Sequence, residues 1–395
     1  MRRVSLILAA VAVSSVLACS ERSSTGPASQ LIVPALTASR GELPPDPCRS
    51  ISGEVDRFLA LLPAVQRREI ARRVDSQLRD LLKGRGHDAR EDGFELLQIL
   101  IAARPVSDEA SSLLATLVRD VFACLEIDVP NIDPSSFGAG GAIGIALPGQ
   151  RTRIATGDDN AGAIFQPGSV NVPVLVTITP IGRAGEVSGD GAAAVIASGV
   201  LAPARLPEYG PAYRYQTYPE TRFSKPVTVG IREFIPTDTR PILGLAHTVA
   251  VAGLGTVAQM PSGVACPQLF LNGPGATALA SRAFSVAAAV TGTSVNTTGC
   301  ASSFSPWVAV NLRDLFILTG PKCGSSTFTV SGPEKLLVNL RWRTDKPALD
   351  GRVRYAGGPV SFTPSIEGRP VSVDFAQLLF KDQVIAVTPP DPCRG

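Results

Sequence analysis

Two histidines, His87 and His247, are the only imidazoles in the 395-residue chain, so histidine-based acid/base or metal chemistry would have to start from them. Two cannot build a three-histidine zinc centre. His87 lies among charges in the Gly84–Asp92 segment, read as a loop, where a lone exposed histidine has no catalytic company. His247 lies in Leu245-Ala246-His247-Thr248-Val249, a strand-like alternation in which a satisfied core or edge histidine is the ordinary outcome. The short motifs of hydrolases and nucleotide enzymes are missing: no Gly-x-Ser-x-Gly, no His-Glu-x-x-His, no Walker sequence and no Ser-x-x-Lys. Gly138, Gly140, Gly141 and Gly144 imitate nucleotide-loop spacing, but no strand precedes them and no helix follows, so they read as an interdomain hinge. Asp158-Asp159-Asn160 lacks the alternating ligands and distal Glu of a calcium loop and reads as a polar turn. Carboxylate pairs meet in space rather than in sequence, and the sixteen Asp and Glu after Gly138 stand mostly beside Gly or Pro in loops. No catalytic residue, metal ligand or cofactor is assigned on this basis.

Charge and composition narrow the partner. The chain has 37 Lys and Arg against 34 Asp and Glu, a formal charge of +3, which gives nucleic acid little counterion-release drive. Arg2 and Arg3 precede an apolar run from Val4 to Val16, the basic and hydrophobic parts of a secretory signal. That run is too short to span a bilayer as a helix. It ends in Val16-Leu17-Ala18-Cys19, which resembles the bacterial lipobox, where a cysteine after small residues is acylated and becomes the new N-terminus. Leu17 stands where a smaller residue is commoner, which keeps ordinary signal-peptidase cleavage near Ala18 as the alternative. The resemblance implies a signal peptide over residues 1–18, lipidation of Cys19 and a membrane anchor in the bacterial cell envelope. Ser20 is similar to the pattern that permits outer-membrane sorting in enteric bacteria. Residues 19–45, rich in Ser, Thr, Gly and Pro, read as a flexible tether.

Of the seven cysteines, setting Cys19 aside leaves an even set: Cys48, Cys124, Cys266, Cys300, Cys323 and Cys393. In an oxidising compartment these are disulfide candidates, and the absence of any Cys-x-x-Cys argues against a zinc ribbon or a thioredoxin-type site. Pro44-Pro45-Asp46-Pro47-Cys48-Arg49 recurs as Pro389-Pro390-Asp391-Pro392-Cys393-Arg394, bracketing the body.

The elements that must position these residues fall into two regimes. About a third of residues 46–128 are charged, against roughly one in seven from Gly138 onward, which marks a boundary. The first regime, residues 46–130, has helical periodicity: Val55, Phe58, Leu59 and Leu62; Ile70, Val74, Leu78 and Leu81; Phe94, Leu97, Leu100 and Ile101; Leu114, Val118, Phe122 and Leu125. Pro63, Gly84-Arg85-Gly86 and Pro105 separate the runs, and Ser107 or Asp108 can cap the last. Four amphipathic helices on short connections predict a small antiparallel bundle. Its first and last ends then lie together, which favours Cys48–Cys124; the competing pairing is Cys48–Cys393. Cys266–Cys300 and Cys323–Cys393 are the pairings expected for the rest. Arg67, Arg68, Arg72 and Arg73 interleave with Glu69, Asp75 and Asp80 and read as a solvated helix face.

From Gly138 short β-branched and aromatic runs alternate with Gly, Pro, Asn and Asp, so the fold class is α+β multidomain: a helical bundle followed by an all-β, immunoglobulin-like sandwich region. Strands are predicted at 143–147, 172–179, 213–218, 227–231, 247–251, 328–330, 336–343, 360–363, 371–375 and 384–387. Trp307 and Trp342 read as packing rather than as a sugar platform. Ala163-Ile164-Phe165-Gln166-Pro167-Gly168-Ser169-Val170, the strand after it, Tyr213-Arg214-Tyr215 and Phe223-Ser224-Lys225-Pro226-Val227 together resemble a ZU5-type module over residues 138–236. That resemblance implies a β-sandwich used in protein–protein interaction and scaffolding. Some relatives cut themselves at His-Phe-Ser; Arg222-Phe223-Ser224 lacks that histidine. Residues 237–395 either complete the sandwich or form a second one, and Ala276–Ala289 reads as a small-residue helix or buried strand. The expectation is a non-enzymatic envelope lipoprotein with a protein partner. The alternatives are an envelope hydrolase or carbohydrate-binding protein with its site in 237–395, and a structural spacer.

Overall fold

In the computed structural model, the described residues are 47–83, 87–103, 107–128, 130–132, 134–182, 212–237, 240–251, 255–261, 266–273, 292–321, 325–334 and 336–389. Cys19, Cys323, Cys393, the signal and tether segments and the 276–289 run lie outside them.

Four helices come first: α1 Pro47–Leu61, α2 Ala64–Lys83, α3 His87–Ala102 and α4 Asp108–Cys124. The periodic apolar residues explain them, since Val55, Phe58, Leu62, Val74, Leu81, Phe94, Leu97, Leu100, Leu114, Val118 and Phe122 are all buried in one cluster. Pro63 separates α1 from α2, and the Arg67 guanidinium donates to the Ala60 and Leu62 carbonyls at 2.8 and 3.0 Å, satisfying the end of α1. Ser107 caps α4 by accepting the Ala110 amide at 3.2 Å. The expected loop running to Asp92 is shorter than read: α3 already begins at His87, because Asp88-Ala89-Arg90-Glu91 contains good helix formers and Ala89 is buried. α1 packs on α4 and α2 on α3. No helix among the described residues is long and apolar enough to cross a membrane.

After a short 3-10 turn at Pro134–Phe137, the chain turns to strands. These are β1 Ala142–Ala146, β2 Thr152–Ala155, β3 Ala161–Phe165, β4 Val174–Gly182, β5 Ala212–Tyr218, β6 Val227–Pro236, β7 Leu243–Val251, β8 Gly255–Gln259, β9 Gly292–Ala301 and β10 Pro306–Asn311. There follow β11 Ile317–Thr319, β12 Phe328–Ser331, β13 Leu336–Thr344, β14 Asp350–Ala356, β15 Val360–Phe362, β16 Ser365–Ile366, β17 Arg369–Pro370, β18 Ala376–Phe380 and β19 Gln383–Val387. A ten-stranded sheet runs β1-β4-β5-β10-β7-β8-β13-β18-β19, with β14 on the other edge of β13. A four-stranded sheet runs β2-β3-β6-β9, and a three-stranded one β11-β12-β15.

The period-two alternation of β4 builds the layers. Val174, Val176 and Ile178 face the four-stranded sheet in a core with Phe165, Val227, Val229, Tyr215 and Trp307. Leu175 points the other way, joining Ile145 of β1 in the helical core, so the helices cover the back of the sheet at its β1–β4–β5 end. Thr177 and Thr179 on that side are buried too, and the Thr179 hydroxyl pairs with Ser136 at 2.8 Å. Further along the ten-stranded sheet, a second core of Val308, Val310, Val338, Leu340, Trp342 and Tyr355 is closed by Leu318, Phe328 and Val330 of the three-stranded sheet.

Strands from both sides of residue 237 share these sheets. β9 pairs with β6 from Val227 to Pro236, and β10 pairs with β5, so the later region closes the first sandwich and then carries the large sheet onward over its own core. The strand expected at 371–375 is a loop instead: Val373 plugs the second core, and the next strand starts at Ala376.

Candidate functional site

His247 sits on β7 directly opposite Trp307 of β10, and the two rings stack with centroids 4.2 Å apart. Its Nδ1 lies 3.1 Å from the Ser305 hydroxyl, and burial pushes its pKa down to about 4, so the ring is neutral at physiological pH. A neutral imidazole beside a serine is the first half of an activated nucleophile. Here the ring is shut into the core against indole, and neither residue reaches the cavity described below. Trp307 is fully buried, and Trp342 stacks on Phe362 at 4.9 Å, which places both tryptophans in packing as read from the sequence. The His87 backbone opens α3.

The other flagged motifs are committed to turns. The Asp158 carboxylate accepts from the Thr156 hydroxyl at 2.6 Å and from the Asn160 amide and side chain at 3.1 and 3.0 Å. Asp159 pairs with Arg153 and accepts the Asn272 amide at 2.7 Å, so the β2–β3 turn pins the 266–273 segment. The glycines before β1 are no hinge: the Gly141 amide bonds Gly138, and the Gly157 and Asp158 amides bond the Gly141 and Ala139 carbonyls at 3.1 and 2.7 Å. Ser224 bonds Asn171 at 2.9 Å, and the Lys225 ammonium donates to the Pro167 carbonyl at 2.7 Å. Gly168 takes φ +78 beneath that lysine, a conformation that favours glycine. Phe223 meets Phe304 edge-on at 4.8 Å.

Two cysteine pairs are bridged, Cys48–Cys124 with Cα atoms 4.9 Å apart and Cys266–Cys300 at 5.8 Å, both within disulfide reach. The first is the pairing that the bundle topology favoured over Cys48–Cys393. Near it lies a carboxyl pair not read from the sequence, Glu54 of α1 against Asp120 of α4. Burial, then the Asp120 charge, raises the Glu54 pKa to about 7, and Ser50 donates to Asp120 at 3.0 Å. The available signal was an acidic residue inside the apolar stripe of Ile51, Val55 and Phe58.

The concave site lies in the region after residue 237. A cavity of about 710 Å³ opens between β9, the β13–β14 ladder and the β18–β19 turn. The Cys266–Cys300 disulfide and Pro261 form part of its wall, with Thr298 and Gly299 of β9. Facing them are Asn339, Arg341 and Arg352, while Lys381 and Asp382 stand on the turn. Strand alternation explains the facing residues, because Leu340 and Val353 between them go into the core. Arg341 bonds Asp350 and, through its other terminal nitrogen, Asp382 at 3.0 Å. These bonds raise the Arg341 pKa and lower that of Asp350. Lys381 and Asp382 have φ values of 48 and 62, the left-handed pair of a two-residue hairpin turn normally built from Asn and Gly. The Lys381 ammonium reaches the Thr298 carbonyl at 3.5 Å, and desolvation against the wall lowers its pKa. Three cations therefore share the cavity with one carboxylate. Sequence reading missed this site because its parts come from four separated stretches and no one stretch forms a motif.

No protein-family model matches the chain, and no curated protein matches its sequence.

Proposed function

We propose that the chain is an exported bacterial envelope lipoprotein, cleaved after residue 18, lipidated at Cys19 and carried on the 19–45 tether, whose β body binds a protein partner without catalysing a reaction. In this reading the first sandwich is ZU5-like and immunoglobulin-like in type. Support for that comes from the Lys225–Pro167 bond, which ties the Lys-Pro-Val block to the Pro-Gly turn, the two blocks that carry the resemblance.

The observation that carries the binding reading is the character of the cavity between β9, the β13–β14 ladder and the β18–β19 turn. It presents arginines, a lysine and backbone on walls tied by a disulfide, with no serine, cysteine thiol or histidine among the described residues that line it, while the His247–Ser305 contact lies outside it, with the ring packed against Trp307. Such a surface offers charge complementarity and fixed geometry, which serve recognition. The test is fractionation with affinity purification of the full chain from its own envelope. The expected result is a membrane-bound wild type, a Cys19→Ala variant released from the membrane, and one protein recovered in stoichiometric amount. A wild type in the soluble fraction contradicts the anchor, and retention on peptidoglycan or glycan resin with no protein partner contradicts the binding reading.

A further inference from the structure

The β13–β14 ladder places two like charges face to face. Arg341 lies directly opposite Arg352, with Arg343 and Arg354 farther along the same solvent side. Like charges in direct opposition destabilise an antiparallel pair, so this ladder carries a cost that the fold does not require. Asp350 and Asp382 relieve it at Arg341 only. Among the described residues, Arg352 and Lys381 have no carboxylate within ion-pair distance.

The turn tells the same story. A left-handed conformation at two consecutive side-chain-bearing residues is unfavourable where Asn-Gly would be relaxed. Its effect here is to set a lysine and an aspartate at the rim of the cavity. Strain of this kind gathers where geometry serves a ligand.

Which ligand follows from what the wall already holds. Arg341 takes two carboxylates of this chain, one at each terminal nitrogen, and one of them, Asp382, is 78% exposed and free to swing aside. Among the described residues lining the cavity no aromatic face is open for a sugar ring to stack on, since Phe380 is buried under Lys381. On one side the cavity is bounded by β9, which among the described residues is the edge strand of its sheet, so an extended chain can lie along it. We infer that this cavity recognises a carboxylate-rich peptide segment of the protein partner, with its acidic side chains bonding Arg352 and Lys381 and exchanging with Asp382 on Arg341. The inference rests on the protein-binding reading above and names the chemistry of that partner.

The test is fluorescence anisotropy with the full chain in detergent, titrated into labelled oligoglutamate peptide, with inorganic phosphate and a sulfated polysaccharide as competitors. Saturable binding is expected, weakening as salt rises and about tenfold weaker in Arg352→Ala, as for loss of one charge-assisted contact. Lys381→Asn with Asp382→Gly keeps the turn and should lose binding to a similar extent while melting no earlier than wild type. Arg79→Ala, on the exposed face of α2, should bind as wild type does. Equal binding by all variants overturns the assignment, as does an oligoglutamate signal abolished by phosphate or sulfated polysaccharide at concentrations where added oligoglutamate has no effect. A partner from the envelope that co-purifies equally with wild type and both pocket variants overturns the pocket assignment alone. Recovery of no protein at all overturns the reading beneath it.

Discussion

Glu54 and His247 are both buried, and burial moves their titrations in opposite directions because the neutral form is protonated in one and deprotonated in the other. Glu54 is raised from 4.5 to about 7, so its contribution to stability is complete below pH 4.5 and is lost as pH rises to about 7. His247 is lowered from 6.5 to about 4, so its contribution is complete above pH 6.5 and is lost as pH falls towards 4. Each effect is of order 1–3 kcal/mol. Melting curves between pH 4 and 8 check both: Glu54→Gln should remove the loss on the alkaline side, and His247→Phe the loss on the acid side. His247 was legible in the sequence because alternation alone places it on a half-buried strand. Glu54 was legible only as an anomaly, since nothing in sequence says that Asp120 will face it.

At the scale of elements, the helices were readable almost residue by residue, because each buries one stripe at helical spacing and Pro63, Gly84-Arg85-Gly86, Pro105 and the capping Ser107 punctuate the runs. The strands were read where apolar residues alternate, as in β4 and β13, and missed where they do not. β9, Gly-Thr-Ser-Val-Asn-Thr-Thr-Gly-Cys-Ala, is small and polar, and it becomes a strand by pairing along all of β6. β14 hides its core residues Val353 and Tyr355 between arginines. Gly351 of β14 lies under the Trp342 ring, where an added methyl would sit 2.4 Å from the indole. Gly351→Ala should therefore cost about 1–3 kcal/mol, read as a lower thermal midpoint with the helical signal unchanged before melting. In the β18–β19 turn, Lys381→Asn with Asp382→Gly should raise stability by up to about 1 kcal/mol, the relief of a turn built for another purpose.

Across the whole molecule, α1 and α4 are tied by Cys48–Cys124, the helices cover the β1–β4–β5 end of one face of the ten-stranded sheet, and the later strands close the first sandwich before building a second core. The α+β class was visible in composition; the sharing of one sheet across residue 237 was not, since pairing between β5 and β10 joins residues about ninety apart, beyond the reach of local pattern. Replacing Cys48 and Cys124 together by Ser reopens a 76-residue span and should cost about 2–4 kcal/mol, measured by denaturant unfolding under oxidising conditions. The cationic cavity is likewise a product of assembly, four stretches meeting at one mouth. Its most direct test is photo-crosslinking in intact cells from a reactive residue placed at Asn339, which is exposed at the cavity wall. The account predicts a membrane-associated adduct with one protein, lost when Arg352→Ala is added to the same chain. An adduct with glycan, or a protein adduct indifferent to Arg352→Ala, would contradict it.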